Sequence, residues 1–191
     1  MKRNIILLGF ILFAKFSIAQ QELLLLDEHN KYIFYQVVDM PGLTADTLRT
    51  RGSLFLKKMF PKNKQNIAGN LFNISSEGKF VTYTAVSVLK HETGEETYVL
   101  NLEFKDQKYR FWLTGFIFTP YERDRYGNFV PKSGIEIPLE KLSSKLEKRE
   151  SETCLRETGA FCKQFGERIK GFMLNPEKKE ESTKRVVTEK W

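Results

Sequence analysis

The polar pair Asp106-Gln107 constrains the fold more than any other feature, because it separates two segments of alternating apolar side chains. A two-residue turn at this pair places Leu102 opposite Phe111, and one face of the hairpin becomes a continuous apolar layer. On the other face Glu103 lies opposite Arg110, which is a compatible charge pair. The pattern therefore predicts an antiparallel hairpin with a defined register.

The surrounding region also alternates between apolar and polar side chains, the period that is typical of strands. Four strands are predicted, at 67–75, 79–90, 97–105 and 108–118. Polar or glycine-containing runs predict the turns between them, at 76–78, 91–96 and 106–107. A turn centred on Thr93-Gly94 would place Ser87 opposite Leu100.

A strand and a helix are predicted before this region. Lys31–Met40 is rich in aromatic and β-branched residues, which favours a strand, and it can form a hairpin with Leu23–Leu26. Thr44 is a good N-cap for a helix that extends to Pro61, because its hydroxyl can accept a hydrogen bond from an unpaired backbone N–H. Gly52 lies within the apolar stripe of that helix and suggests a close approach to the sheet.

The C-terminal third predicts a loop, a helical segment and a tail. Pro120–Pro138 is polar and interrupted by proline and glycine, which is typical of a long loop. Leucine and phenylalanine residues at spacings of three and four then predict a helical segment that breaks near Gly159. If one helix contains both Cys154 and Cys162, eight residues place them roughly 12 Å apart, beyond the ~7 Å disulfide limit. Two free packing residues are therefore favoured, and a disulfide would require the helix to break near Gly159. Residues 175–191 are charged and unpatterned, which predicts a disordered tail.

Three short motifs connect the predicted elements. They are Val37-Val38-Asp39-Met40-Pro41-Gly42-Leu43-Thr44, Ile67-Ala68-Gly69, and Phe104-Lys105-Asp106-Gln107-Lys108-Tyr109-Arg110-Phe111. Over residues 27–118 the chain resembles a family of exported domains of unknown function found mainly in Bacteroidetes. The resemblance implies an α+β, TATA-binding-protein-like fold in the order β-α-β(4)-α, with helices on one face of a curved antiparallel sheet. It implies no functional residue, because the family has no assigned activity.

The N-terminus has the order of a secretory signal peptide. Two basic residues precede an apolar run, and the small residues Ser17 and Ala19 predict cleavage after Ala19. Lys15 interrupts the apolar run, which disfavours a retained membrane anchor. We therefore expect a signal peptide at 1–19, a single domain at 20–174, and a periplasmic or secreted protein.

The distribution of charge argues against a nucleic-acid partner. The net charge is +7, but three basic residues lie in the predicted signal peptide, and 7 minus 3 leaves +4. Nucleic-acid-binding proteins concentrate their basic residues on one face, whereas acidic and basic residues alternate closely from Glu140 to Arg149. We expect no nucleic-acid partner.

The sequence predicts no catalytic residue, no metal site and no cofactor. Three acidic residues follow His91, namely Glu92, Glu95 and Glu96. This run reads as a solvated turn, and it does not provide the four Cys or His ligands that are usual in structural zinc sites. The only other histidine is His29, also in a predicted turn. A hydrolase assembled from residues distant in sequence is left open.

The hairpin face opposite the apolar layer is the candidate partner surface. It is predicted to carry Trp112, Phe116, Val86, Val88 and Val99. Soluble monomers rarely expose large apolar patches without a partner, and aromatic residues often anchor interfaces. Alternatively, the following loop or helical segment covers this face, or a glycan stacks on Trp112. We expect a non-enzymatic envelope module that binds an envelope protein or itself, the alternative being an envelope glycan- or peptide-binding or hydrolytic domain.

Overall fold

The computed structural model describes residues 24–62, 66–67, 72–86 and 89–176, without the side chains of 66–67, 84–86 and 89–90. The predicted signal peptide, and all of the predicted tail except its first two residues, lie outside this part of the chain. The strands are β1 (Leu25–Leu26), β2 (Tyr32–Asp39), β3 (Asn66–Ile67), β4 (Asn73–Val86), β5 (Leu89–Lys105), β6 (Lys108–Arg123), β7 (Phe129–Pro131) and β8 (Ile137–Pro138). The helices are α1 (Ala45–Met59), α2 (Leu142–Lys145), which follows a 3-10 turn at Leu139–Lys141, and α3 (Lys148–Leu174).

The described strands form an antiparallel sheet in the order β1-β2-β6-β5-β4-β3, and β7 and β8 also pair with β6. The three helices pack on one face of this curved sheet, which we call the inner face; the opposite face is the outer face. The core lies between the helices and the inner face, where Leu100, Leu102 and Phe111 are fully or almost fully buried. The predicted α+β class, with helices on one face of a curved antiparallel sheet, is confirmed.

The hairpin at Asp106-Gln107 has the predicted register. Leu102 pairs with Phe111 across β5 and β6, and both side chains are buried on the inner face. The tip is also tied to the start of α1. The Asp106 carboxylate accepts a hydrogen bond from the Ala45 N–H at 2.8 Å, and the Gln107 N–H donates to the Leu43 carbonyl at 2.8 Å. One local reversal thus fixes both the sheet register and the position of a helix.

Helix α1 begins and packs as the sequence predicts. The Thr44 hydroxyl accepts a hydrogen bond from the Thr47 N–H at 3.3 Å, which is the N-cap bond. A Cβ atom added to Gly52 would lie 2.9 Å from Cε1 of Phe104 on β5. Carbon atoms attract each other best at ~3.5–4.0 Å, so a side chain at this position would clash with the ring. The absence of a side chain lets α1 approach the sheet.

Residues 76–78 and 91–96 are strand, and the turns predicted there are wrong. β4 and β5 form one long pair in which Ser76, and not Ser87, lies opposite Leu100. These runs are polar although they do not turn. Their outward-facing side chains contact solvent or pair with each other across the two strands. Glu95, for example, forms an ion pair with Lys79 across the two strands at 3.0 Å.

Most of Pro120–Pro138 is a second β-hairpin, so the predicted long loop is also wrong. β6 continues to Arg123 and pairs with β7, and β8 then pairs again with β6. At the tip, the Asp124 carboxylate accepts hydrogen bonds from the N–H groups of Asn128 and Tyr126, each at 2.8 Å. The first of these is the main cause of the lowered pKa of Asp124. Gly127 and Gly134 therefore mark short turns between strands, whereas the prolines of this segment lie within or at the ends of its strands.

Helix α3 continues without interruption through Gly159, where the sequence predicted a break. The interruption comes earlier, at Leu146-Glu147 between α2 and α3. Thr158 and Gly159 are buried, so the polar stretch before Phe161 contains small side chains on the side of the helix that faces the protein. Cys154 and Cys162 on this helix are free and buried, as predicted.

Candidate functional site

Aromatic and charged side chains from three neighbouring strands form a candidate site on the outer face. One row across the sheet contains Tyr35 on β2, Trp112 on β6 and Asn101 on β5. The next row contains Val37, Arg110 and Glu103. We call these six residues the outer platform. Tyr35 is 42% exposed and Val37 is 54% exposed, so the β2 side of the platform meets solvent.

Arg110 links the charged and aromatic parts of the outer platform. Its Nε donates to the Glu103 carboxylate at 2.8 Å, and a second guanidinium nitrogen donates to the same oxygen. The guanidinium carbon lies 5.4 Å from the centre of the Trp112 ring, within range of a cation–π interaction. Hydrogen bonds to Glu103, and then to Tyr35, raise the pKa of Arg110. These contacts restrict the rotamers of the platform before any partner binds.

Phe116 does not belong to this surface, although the sequence predicted it there. Val99 pairs with Thr114 and Thr97 pairs with Ile117, so two residues of β6 lie opposite one residue of β5. This β-bulge contains Gly115, whose φ is +64°, a value that L side chains rarely adopt. The extra residue reverses the alternation of β6, and Phe116 therefore points into the core with 1% of its surface exposed.

The three predicted valines have different outcomes. Val99 is half-buried beside the bulge, where its Cγ2 would lie 3.7 Å from a Cβ added to Gly115. The side chain of Val86 and the whole of Val88 lie outside the described residues. Of the five predicted surface residues, the structure therefore places Trp112 and Val99 on the outer face and corrects Phe116.

A second candidate site is a cleft at one end of the sheet, which we call the end cleft. Its volume is about 520 Å³. Residues from β4, β5, β6, β7 and the beginning of α3 line it, including Tyr83, His91, Tyr121, Phe129, Arg149 and Thr153. Aromatic rings and polar groups thus converge on a concave surface, as they do in many ligand sites.

Glu96 is the most perturbed carboxyl group in the described part of the chain. It is 0% exposed and lies on the inner face of β5. Cys154 Sγ lies 3.0 Å from Oε1, and Thr158 Oγ1 lies 2.8 Å from both carboxyl oxygens. Burial raises the pKa of Glu96 to about 7, and the hydrogen bonds from Cys154 and Thr158 oppose this rise.

The predicted position of Glu96 in a solvated turn is wrong, because the residue lies buried on a strand. The signal that could have located it is the alternation of β5. Glu96 has the same parity as Leu100, Leu102 and Phe104, all of which point into the core. Continuing the strand through 91–96 would have identified a buried acid from the sequence.

The histidine and acidic residues of 91–96 are not brought together. His91 and Glu92 line the end cleft, Glu95 pairs with Lys79 on the outer face, and Glu96 points inwards. Among the described residues, no group of three His, Cys, Asp or Glu side chains could hold a metal ion.

The two cysteines are poor candidates for nucleophiles. Burial is the main cause of a raised pKa in both the Cys154 and the Cys162 thiol, and the nearby Glu96 raises each of them further. A thiol with a raised pKa is almost entirely protonated at neutral pH, and the protonated form is the unreactive one. The Cys154 thiol instead donates a hydrogen bond to Glu96.

None of the helices in the described ranges combines the length and the apolar character that a membrane crossing requires.

Comparison with known proteins gives a match to a family over part of the chain and establishes the fold. Residues 34–119 match the family described as "Domain of unknown function (DUF4468) with TBP-like fold", which confirms the resemblance found in the sequence motifs. A TBP-like protein from Parabacteroides distasonis superposes with a TM-score of 0.62 at 12% identity, covering 81% of this chain and 99% of that one. A DUF4468 family protein from Bacteroides ovatus gives a TM-score of 0.62 at 11% identity, with coverages of 83% and 95%. No curated protein matches the sequence. At these identities the structural likeness establishes the fold alone.

Proposed function

We propose that this chain, whose residues 34–119 match the DUF4468 family with a TBP-like fold, is a non-enzymatic exported protein of the cell envelope that binds another protein through its outer platform. The main support for this proposal is the row formed by Tyr35 and Trp112, with Arg110 held over the indole ring. The partner is an envelope protein or a second copy of this chain. The signal-like N-terminus supports export.

The chemistry of the outer platform supports a protein partner. Tyrosine, tryptophan and arginine are the residues most enriched at binding hot spots, and all three meet here on adjacent strands. The bond between Arg110 and Glu103 also reduces the conformational entropy that binding would cost. A preorganised surface with an aromatic centre fits a protein interface better than it fits a small substrate.

The state of the titratable groups supports binding in preference to catalysis. Glu96 has the pKa of a possible general acid or base, but its side chain is sealed in the core and engaged by Thr158. A general base must lie within hydrogen-bond reach of the substrate. The Cys162 thiol is equally withdrawn from a substrate, and the Cys154 thiol, which lines the end cleft, has a raised pKa that keeps it protonated.

The test compares variants of the platform with a matched aromatic control. Trp112→Ala and Tyr35→Ala remove platform rings, whereas Tyr126→Ala removes a 73% exposed ring at the tip of the β6–β7 hairpin. The purified proteins are used for affinity capture from envelope extract, and their self-association is measured by analytical ultracentrifugation. We expect both platform variants to weaken a specific captured partner or the self-association by about tenfold or more, as loss of a hot-spot residue would.

The control should retain both properties. A reduction in the captured partner with conserved self-association identifies a heterologous partner, and the reverse identifies a second copy. Identical captured proteins and identical self-association for Trp112→Ala, Tyr35→Ala and wild type would refute the proposal.

The end cleft supports a second candidate function, the binding of an envelope glycan or peptide. Its volume of about 520 Å³ lies within the ~300–1,000 Å³ range of ligand pockets. Tyr83 and Tyr121 offer rings for stacking, and Arg149 offers a hydrogen-bond donor. The test is isothermal titration of soluble cell-wall glycan fragments and peptides into wild type and Tyr83→Ala. Heat that Tyr83→Ala abolishes and Trp112→Ala leaves unchanged would favour this cleft over the outer platform.

A further inference from the structure

We infer that Glu96 is held as a neutral carboxylic acid that latches helix α3 to the sheet, and that loss of its proton loosens the N-terminal half of that helix. The inference is independent of the proposed partner surface, because Glu96 lies on the inner face. It rests on the number of protons that the buried cluster can supply, on its surroundings, and on its place between two elements.

If Glu96 is ionised, the cluster around it contains fewer hydrogen-bond donors than acceptors. Thr158 Oγ1 lies 2.8 Å from both oxygens of Glu96 and also 2.8 Å from the Cys154 carbonyl. A hydroxyl has one proton, so it cannot donate to three acceptors at once. An ionised Glu96 would leave this shortage of donors inside the core, where an unsatisfied polar group is costly.

A proton on Glu96 removes the shortage. The Cys154 thiol then donates to Oε1, the carboxylic acid donates through Oε2 to Thr158 Oγ1, and the Thr158 hydroxyl donates to the Cys154 carbonyl. Each of the three donors has one acceptor, and the chain of bonds runs from α3 to β5 and back. The neutral acid is thus a connecting piece between the helix and the sheet.

The described side chains around Glu96 provide no compensating positive charge. Its cross-strand neighbours are Phe80 on β4 and Phe118 on β6, neither of which titrates. Helix α3 contributes the thiols of Cys154 and Cys162, and β5 itself contributes Tyr98.

The charged groups nearest to this cluster do not neutralise Glu96. The charge of Glu157 raises the pKa of Cys154, and the charge of Arg168 lowers the pKa of Tyr98. Glu95, the next residue on β5, pairs with Lys79 on the outer face. A carboxylate in this apolar site would therefore be buried without a cation, which proteins avoid.

The hydrogen-bonded cluster around Glu96 adjoins the end cleft. Cys154 both bonds to Glu96 and lines the end cleft, together with Arg149, Glu150 and Thr153 from the same part of α3. Breaking the hydrogen bonds at Glu96 would weaken the attachment to the sheet of the cleft wall that α3 forms. The shape of the end cleft therefore depends on the protonation of Glu96, and hence on the pH of the surrounding solution.

The direction of the pH dependence follows from the pKa of Glu96. The group ionises near its ordinary value of 4.5 in the unfolded chain and at about 7 in the folded protein. Between these pH values the folded state binds one more proton than the unfolded state, so its stability falls as the pH rises. The stabilisation from the neutral acid is complete below pH 4.5 and is lost as the pH rises through about 7.

The experiment measures urea unfolding of the full chain from pH 5 to pH 9 for wild type, Glu96→Gln and Glu95→Gln. Glutamine keeps the shape of the neutral acid and cannot ionise, and Glu95→Gln is a control on the same strand that faces outwards. Well between the two pKa values of Glu96, each pH unit changes the unfolding equilibrium constant about tenfold. With pKa values of 4.5 and about 7, we expect the ratio of the constants of wild type and Glu96→Gln to rise about fortyfold between pH 5 and pH 7 and to level off near pH 9, about seventy-five-fold above its value at pH 5.

Glu95→Gln should follow wild type over this range. A constant ratio between wild type and Glu96→Gln, or a ratio that falls as the pH rises, would overturn the inference. The labelling of Cys154 by a thiol reagent gives a local readout. Above pH 7, labelling should accelerate in wild type beyond the rise in Glu96→Gln; equal acceleration in both would contradict the loosening of α3.

A measurement on wild type keeps the inference testable if Glu96→Gln does not fold. The carboxyl carbon of Glu96, followed by NMR in ¹³C-labelled protein, should titrate with a midpoint near neutrality. A midpoint close to the ordinary value of 4.5 would overturn the inference without any variant.

Discussion

The substitution Gly52→Ala tests how closely helix α1 is packed on the sheet, because two effects of known size oppose each other. Alanine stabilises a helix interior by about 1 kcal/mol relative to glycine. The new Cβ would also lie 2.9 Å from Cε1 of Phe104, well inside the ~3.5–4.0 Å of a favourable carbon contact. Overpacking of this kind costs about 1–3 kcal/mol.

The surroundings of Phe104 decide which effect is larger. The ring is buried between α1 and the sheet and cannot move towards solvent, so the upper part of the overpacking range applies. We expect Gly52→Ala to lower the free energy of unfolding by about 1–2 kcal/mol, after subtraction of the helix-propensity gain. Chemical denaturation in urea at constant pH should then give a lower midpoint with an unchanged slope.

Gly171→Ala is the matched control, because it makes the same change in α3 where no atom lies within 4 Å of the added Cβ. This variant should be as stable as wild type or more stable by up to about 1 kcal/mol. The double variant Gly52→Ala/Phe104→Leu should be less destabilised than the sum of its two single variants, because a smaller side chain relieves the clash. A midpoint for Gly52→Ala at or above that of wild type would refute the reasoning.

Three further predictions concern the bulge and a buried thiol. Phe116→Ala should cost about 3–5 kcal/mol of stability as a core truncation, whereas Trp112→Ala should cost less than half as much; equal losses would contradict the reversed alternation of β6. Gly115→Ala should cost about 1–2 kcal/mol, because alanine resists a positive φ, and an unchanged urea midpoint would contradict it. At pH 7 Cys162 should react with Ellman's reagent only on unfolding, because burial raises its thiol pKa; rapid labelling of Cys162 in the native protein would count against this.

The parts of the fold that the sequence predicted correctly are those specified by local chemistry. The Asp106-Gln107 hairpin was predictable because a short turn and two alternating segments must agree on one register. The N-cap at Thr44 and the close approach at Gly52 each depend on a single residue type with a single physical role.

The errors arise where tertiary contacts override a local signal. The polar residues of 91–96 resemble a turn, but Glu95 is paired across the strands and Glu96 is sealed under α3. Phe116 was misplaced because one extra residue in β6 reverses every later side chain, and strict alternation cannot anticipate it. The isolated Gly115 within a strand pattern was the available sign of that bulge.

The hydrogen bonds at the Asp106-Gln107 tip determine where this protein can carry an inserted epitope or reporter. An insertion there would separate the β5–β6 reversal from Leu43 and Ala45, so it would disturb the entry into α1 as well as the sheet. The tip at 125–127 is held by bonds within its own turn, including those that the Asp124 carboxylate accepts from the N–H groups of Tyr126 and Asn128. Fusions should therefore be built at the second hairpin, where a foreign segment leaves the connection between distant elements intact.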